Sequence, residues 1–194
     1  MSAALAPRRR AGLLLLTVLL CFPPATGQDA GASPAPERLQ AEVMLKLFSR
    51  NYRFDAHGAD TLLVPVVYAA ASASEAARLR GFLAAFPPRM SGGREIAFPL
   101  MPVTAMDSLA AGSVHGVVAV LPEGADPAAL AEHCREAGLL SITARPAQTR
   151  GGLAIGVGPG SDGSPEIWFN AGALKAVGAF YDTDILQLVH TWIW

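Results

Sequence analysis

Residues 114–121 read VHGVVAVL, and residues 126–143 read DPAALAEHCREAGLLSIT. The first stretch is an unbroken apolar run rich in β-branched residues, which predicts a strand buried on both faces. In the second, Asp126 stands where a helix N-cap belongs, and Pro127 follows in the first turn. The helix should run to Ala137, with Gly138 placed for a left-handed cap. Residues 139–143 (LLSIT) then form the next strand. Strand, helix and strand in this order form a crossover unit of a parallel sheet, so this stretch decides the fold class.

Toward the N-terminus the same alternation continues. Residues 37–50 (ERLQAEVMLKLFSR) place Leu39, Val43, Met44, Leu47 and Phe48 on one helical face. Residues 62–68 (LLVPVVY) form a strand in which Pro65 cannot donate to a ladder, which suggests an edge position or a bulge. Ser72 and Glu75 have capping-box spacing, opening a helix to about Phe86 with Leu79, Phe82, Leu83 and Phe86 on its buried stripe; Pro87 and Pro88 end it. A strand is expected around 96–100 and a short helix over 105–111. Toward the C-terminus, strands at 153–157 and 166–169 flank the turn-rich segment 158–165, so they should pair antiparallel. A short helix over 171–177 stops at Gly178. The last helix is expected over 183–192, with Ile185, Leu186, Leu188 and Val189 apolar. The chain is thus predicted to be a single three-layer α/β/α domain with a mixed, largely parallel sheet and an antiparallel C-terminal hairpin.

Composition narrows the function. The chain has 194 residues, 52% of them hydrophobic and 16% charged, with 15 Lys and Arg against 16 Asp and Glu. That balance excludes a nucleic-acid binder relying on many phosphate contacts and an acidic disordered tail. Two cysteines exclude a disulfide scaffold. Arg8, Arg9 and Arg10 precede the apolar run 11–21 (AGLLLLTVLLC), then Pro23 and Pro24, then Ala25-Thr26-Gly27. Positive, apolar and small, in that order, is the pattern of a secretory signal peptide. The apolar run is shorter than the roughly 18–20 residues a bilayer span needs. Leu20 before Cys21 disfavours a lipid-modified cysteine. Cleavage after Gly27 would leave a flexible leader over 28–36, a domain over 37–194 and an exported, periplasmic protein with no stable membrane insertion. Only Cys134 would remain, as a buried or reactive free thiol.

The search for chemistry returns mostly structural readings. His57, His115, His133 and His190 lack metal-ligand spacing, so no metal or other cofactor is expected. Gly156, Gly158, Gly160 and Gly163 precede another strand, not a helix, and no lysine follows them. A hairpin turn explains them better than a phosphate cradle. Ser72, Ser74 and Ser91 lack a nucleophile elbow. Asp182 and Asp184 flank a helix start, which favours their charge. Nothing points to an enzyme. Arg50 and Arg53 flank Asn51 and Tyr52, and Arg145 and Arg150 bracket a loop. Each cluster suits an anion, an acidic partner or a solvated surface. Trp192 and Trp194 suit either an interface or a plate over the core.

The segment 138–189, with Leu140 to Thr143, the Gly151-Gly152 loop, the strand ending in Asn170, Gly178 before Phe180, and Ile185-Leu186 with Leu188, resembles the end of the YfiR-like family of periplasmic regulatory proteins. Lys46 and Phe48 in the first helix fit more loosely. The resemblance implies an exported α/β domain, often dimeric. Its function would be to hold down the periplasmic sensor region of an inner-membrane diguanylate cyclase, and so to tune cyclic-di-GMP signalling and biofilm formation. The partner- or ligand-binding candidates are Lys46, Arg50, Arg53, Arg150, Trp192 and Trp194. Gly151, Gly152, Asn170 and Gly178 are structural candidates. The chain departs from the family in lacking its cysteine pairs, in having Tyr52-Arg53-Phe54 after the first helix where Trp-Pro is frequent, and in ending WIW. The alternative reading is a small-molecule binding module resembling one lobe of a solute-binding protein, with its ligand at the carboxyl ends of the strands.

Overall fold

The computed structural model describes residues 36–51, 61–86, 95–108, 112 and 114–194. Residues 1–27, read as a signal peptide, most of the expected leader and Arg53 lie outside the described residues. In chain order the described elements begin with helix α1 (Pro36–Ser49), strands β1 (Thr61–Leu63) and β2 (Val66–Tyr68), helix α2 (Ala73–Ala85) and strands β3 (Glu95–Ala97), β4 (Leu100–Pro102) and β5 (Gly116–Val120). Helix α3 (Ala128–Glu136), β6 (Leu140–Thr143), β7 (Ile155–Pro159), β8 (Pro165–Asn170), α4 (Ala171–Ala176), α5 (Thr183–Leu186) and β9 (Thr191–Ile193) follow. The main sheet runs β4-β2-β5-β6-β7-β8-β9, and all its pairings are parallel except β7 with β8.

The expected α/β class and antiparallel hairpin are what the chain adopts. β5 shows why. All five of its residues are buried, with Val118 and Val120 in one core and Val117 and Ala119 in the other. The first core lies under α1, α2 and α4, and the second under α3 and the 3-10 turn Val103–Ser108. Helices therefore cover both faces of the sheet.

Several elements depart from expectation. Pro65 lies at neither an edge nor a bulge. It separates β1 from β2 in an interior strand, and the shared register (Thr61 opposite Glu95, Val66 opposite Leu100) sets it opposite Pro99, which separates β3 from β4. Each proline removes one ladder donor, while Val64 and Val66 still donate to Ala97 O and Pro99 O on either side. Ser72 makes no side-chain cap; a 3-10 turn (Ala70–Ser72) leads into α2, and Glu75 turns to Arg145 instead. The short helix expected over 105–111 is the 3-10 turn Val103–Ser108. The largest departure is at the C-terminus. The predicted last helix stops at Leu186, and Thr191-Trp192-Ile193 is a strand beside β8. Its β-branched and aromatic residues suit a strand, and His190 N–H reaches Ile167 O at 2.8 Å, taking the backbone into the ladder.

Candidate functional site

Two regions hold the side chains with chemistry. The first is the carboxyl end of the parallel strands. The layout reverses between β2 and β5, the place where sheets of this kind open a crevice. Arg145 follows β6 there. Its Nε donates to Leu121 O at 2.8 Å and its Nη2 to Glu75 Oε2 at 2.8 Å, tying the ends of β5 and β6 to α2. Beneath it, Thr143 Oγ1 donates to Gln148 Oε1 at 2.7 Å and accepts the Arg145 N–H, while Gln148 Nε2 donates to Pro122 O. Gln40 of α1 donates to Ala144 O at 2.8 Å and to Val157 O at 2.5 Å. A second ion pair, Arg78 to Glu37 at 2.7 Å, stands beside Arg145–Glu75. Both pairs, with Leu79 and Pro159, line a cleft of about 200 Å³.

The 3-10 turn Pro146–Gly151 crosses the sheet close above β7. Glycine makes that approach possible: a Cβ on Gly156 would lie 2.4 Å from Pro146 Cα, and one on Gly158 2.5 Å from Pro146 Cδ. These two glycines are therefore packing residues within β7, and only Gly160 and Gly163 belong to the hairpin turn. There the Ser164 side chain and amide donate to Asp162, which holds its carboxyl below the usual value. A Cβ on Gly151 would meet the Pro127 ring, and Gly152 takes φ 104° to end the turn.

The second region is the β8–β9 edge. Asn170 caps α4, its Oδ1 accepting from Ala173 N–H at 2.9 Å, and its Nδ2 donates to Thr149 O at 2.9 Å. Gly178, at φ 65°, ends α4. Phe169 is fully buried and packs against Tyr181, with ring centroids 5.3 Å apart, and edge-on against Trp192 at 5.5 Å. Trp192 in turn stacks on Trp194 at 5.8 Å. Trp192 is 37% exposed and Trp194 93%. The alternatives of core plate and interface thus divide along the tail: Trp192 covers Phe169, and Trp194 stands in solvent.

The charged candidates do not gather with these tryptophans. Lys46 pairs with Glu42 on its own helix, and Arg50 lies 3.8 Å from Asp182. Arg150 stacks over Trp168, 5.1 Å from its ring centre. Because side chains alternate along β8, Trp168 projects from the face opposite Phe169 and Trp192. Asp182 caps α5, accepting from Ile185 N–H, in keeping with a carboxylate at a helix start. Cys134 lies on the buried face of α3, and burial pushes its thiol up to about 12, which keeps it protonated. Among the described residues, no three His, Cys, Asp or Glu side chains form a group suited to a metal ion. No described helix is long and apolar enough to cross a membrane.

Glu75, Gln40 and Gln148 have no motif that marks them as site residues. Apart from Thr143, five residues before Gln148, their partners lie 26 to 117 residues away, so local spacing carries little signal of them.

No family model matches the chain, and no curated protein matches it. Solved structures do. One is the ABC domain in complex with L-Trp from Streptococcus pneumonia, with a TM-score of 0.54, 10% identity and 81% of this chain covered. Another is a conserved domain protein from Vibrio cholerae O1 biovar eltor, with a TM-score of 0.55, 13% identity and again 81% of this chain covered. The chain spans 60% of the length of each. At these identities the likeness is one of fold.

Proposed function

We propose that the protein is an exported, non-catalytic regulator that works by contact, as the resemblance to the YfiR-like family implies. Its partner would be the periplasmic sensor region of an inner-membrane diguanylate cyclase. The observation that carries this reading is the C-terminal edge, where Trp194 is 93% exposed and stacks on Trp192 beside a strand that pairs on one side only among the described residues. Exposed tryptophans with a fixed geometry are characteristic of contact surfaces, because they bury a large area with little loss of rotamer freedom. The test is the cellular cyclic-di-GMP level. Deleting the gene should raise it, and Trp194→Ala should reproduce the rise at unchanged protein abundance. An unchanged level in the deletion strain would overturn the reading.

A second reading rests on the carboxyl-end cleft. Two arginines and two glutamates around about 200 Å³ suit a small polar molecule bearing both charges, and the Streptococcus pneumonia domain of similar fold is in complex with L-Trp. Thermal shift with a panel of small zwitterions distinguishes the two readings. A stabilisation that Arg145→Ala abolishes would favour the cleft, and a flat response across the panel would count against it.

A further inference from the structure

We infer that the carboxyl-end cleft takes a small α-amino acid with a short aliphatic side chain, and that the ligand's carboxylate enters by taking Arg78 from Glu37. The inference rests on the second reading, that the cleft is a ligand site, and names the ligand class and the ion pair that admits it. The two pairs are held differently. Arg145 is fixed at three points: Nε donates to Leu121 O, Nη2 to Glu75 Oε2, and its backbone N–H to Thr143 Oγ1. The side chains of Arg145 and Glu75 are each 32% exposed. Arg78 meets Glu37 through one contact at 2.7 Å, with side chains 56% and 46% exposed. An exposed pair of this kind is held weakly, so a ligand carboxylate can replace Glu37 at little cost. Once released, Glu37 still lies in the first turn of α1, where the helix dipole favours its charge. The Arg78 guanidinium then holds the carboxylate through paired N–H donors.

The same cleft supplies acceptors for the ammonium. Gln40 Nε2 faces two carbonyl oxygens, Ala144 O and Val157 O, which can only accept. That fixes the orientation of the amide and leaves Oε1 as the acceptor Gln40 brings to the cleft. Glu75 gives Oε2 to Arg145 and keeps Oε1 free among the described residues. A primary ammonium, with three N–H donors, suits a carboxamide oxygen and a carboxylate oxygen together, whereas a quaternary ammonium has nothing to donate. Leu79 and Pro159 add an apolar wall. A volume of about 200 Å³ equals roughly seven water-sized groups. That suits alanine or valine and leaves too little room for an aromatic side chain.

The test is isothermal titration calorimetry of the purified protein with L-alanine, L-valine, L-phenylalanine and glycine betaine, which has valine's size and both charges but no N–H. Alanine and valine should bind, and betaine and phenylalanine should bind about tenfold more weakly or worse. Glu37→Gln removes the competitor for Arg78, so it should tighten alanine binding by about twofold to fivefold, the strength of an exposed ion pair. Arg78→Gln should weaken it by about tenfold or more. Both side chains are exposed, so the circular dichroism of each variant should match the wild type. Betaine or phenylalanine bound as tightly as alanine, with Arg145→Ala abolishing the binding, would overturn the ligand class and leave the cleft reading standing. An unchanged or weaker affinity in Glu37→Gln, or an unchanged one in Arg78→Gln, would overturn the exchange. No binding of any of the four at millimolar concentration would overturn both the inference and the reading beneath it.

Discussion

At one side of the sheet, β4 runs Leu100-Met101-Pro102 behind Pro99; at the other, β9 runs Thr191-Trp192-Ile193 behind His190. Both are three-residue edge strands in parallel pairings. In the first, Val66 donates to Pro99 O, so Leu100 and Pro102 face outward, and Pro102 has no N–H to offer a passing strand, a common protection of a sheet edge. The second carries no proline and no charge, and presents two tryptophans. The two edges therefore differ in what they offer: among the described residues β4 has lost one of its two outward donors to Pro102, and β9 has lost none.

A smaller comparison lies inside the larger one. His115 enters β5 in the interior, and His190 enters β9 at the edge. Each accepts a neighbouring strand's amide at Nδ1, from Leu63 at 3.1 Å and from Ile167 at 3.2 Å, and each donates its own N–H to that same residue's carbonyl. Both imidazoles thus serve as ladder acceptors, which requires the neutral ring with its proton on Nε2. His115 is buried and His190 is exposed.

The comparison can be broken most forcefully at Phe169, the platform beneath β9. Phe169→Ala should cost about 3–5 kcal/mol in urea unfolding and shift the tryptophan fluorescence as Trp192 loses its support. An effect below about 1 kcal/mol would mean that β9 is held by other contacts. Next come the paired histidines. His115→Ala should cost about 1–3 kcal/mol, because it empties the buried place of the imidazole and takes the acceptor from the Leu63 amide. His190→Ala should cost less than about 1 kcal/mol, because the imidazole is exposed and its removal leaves no buried void. Equal costs would erase the distinction between edge and interior.

A pH signature separates the interior from both edges. The Cys134 thiol is raised to about 12 in the fold, against about 8.5 in an unfolded chain. The stability it contributes is complete below the unfolded value and is lost as pH rises toward the folded one. Unfolding should therefore become easier between about pH 9 and 12, by up to about 1.4 kcal/mol per pH unit, and Cys134→Ala should flatten that slope. Identical slopes in the two proteins would place the thiol in solvent. The smallest effect on stability is expected at the β4 edge: Pro102→Thr should change it by no more than about 0.5 kcal/mol. Light scattering should nevertheless show new self-association, as an outward donor becomes available. Unchanged scattering would mean that the proline is not what protects β4.

Much of this was legible in the residues. The apolar run of β5, the Asp126-Pro127 start and the Gly138 stop define a crossover unit from local chemistry alone, and Asn170 and Gly178 frame α4 in the same way. Residues 183–192 were not legible, because Ile185, Leu186, Leu188 and Val189 are spaced for a helix. Only contact with β8, through His190 and Phe169, converts the tail to a strand. Pro65 was ambiguous for a related reason, since its interior place depends on Pro99 falling opposite it, thirty-four residues along the chain. The carboxyl-end cleft was legible only as scattered polar residues.

The sequence by itself determined the alternation of strands and helices, their stops and caps, and the low charge of the C-terminal tail. Those features are set by backbone propensity and apolar periodicity within a few neighbouring residues. The tertiary structure alone decided that Arg145 meets Glu75, that Gly156 and Gly158 admit the Pro146 turn, and that the last strand lies beside β8 at the end of the described sheet. Each of these depends on which distant residues become neighbours when the two faces of the sheet are buried.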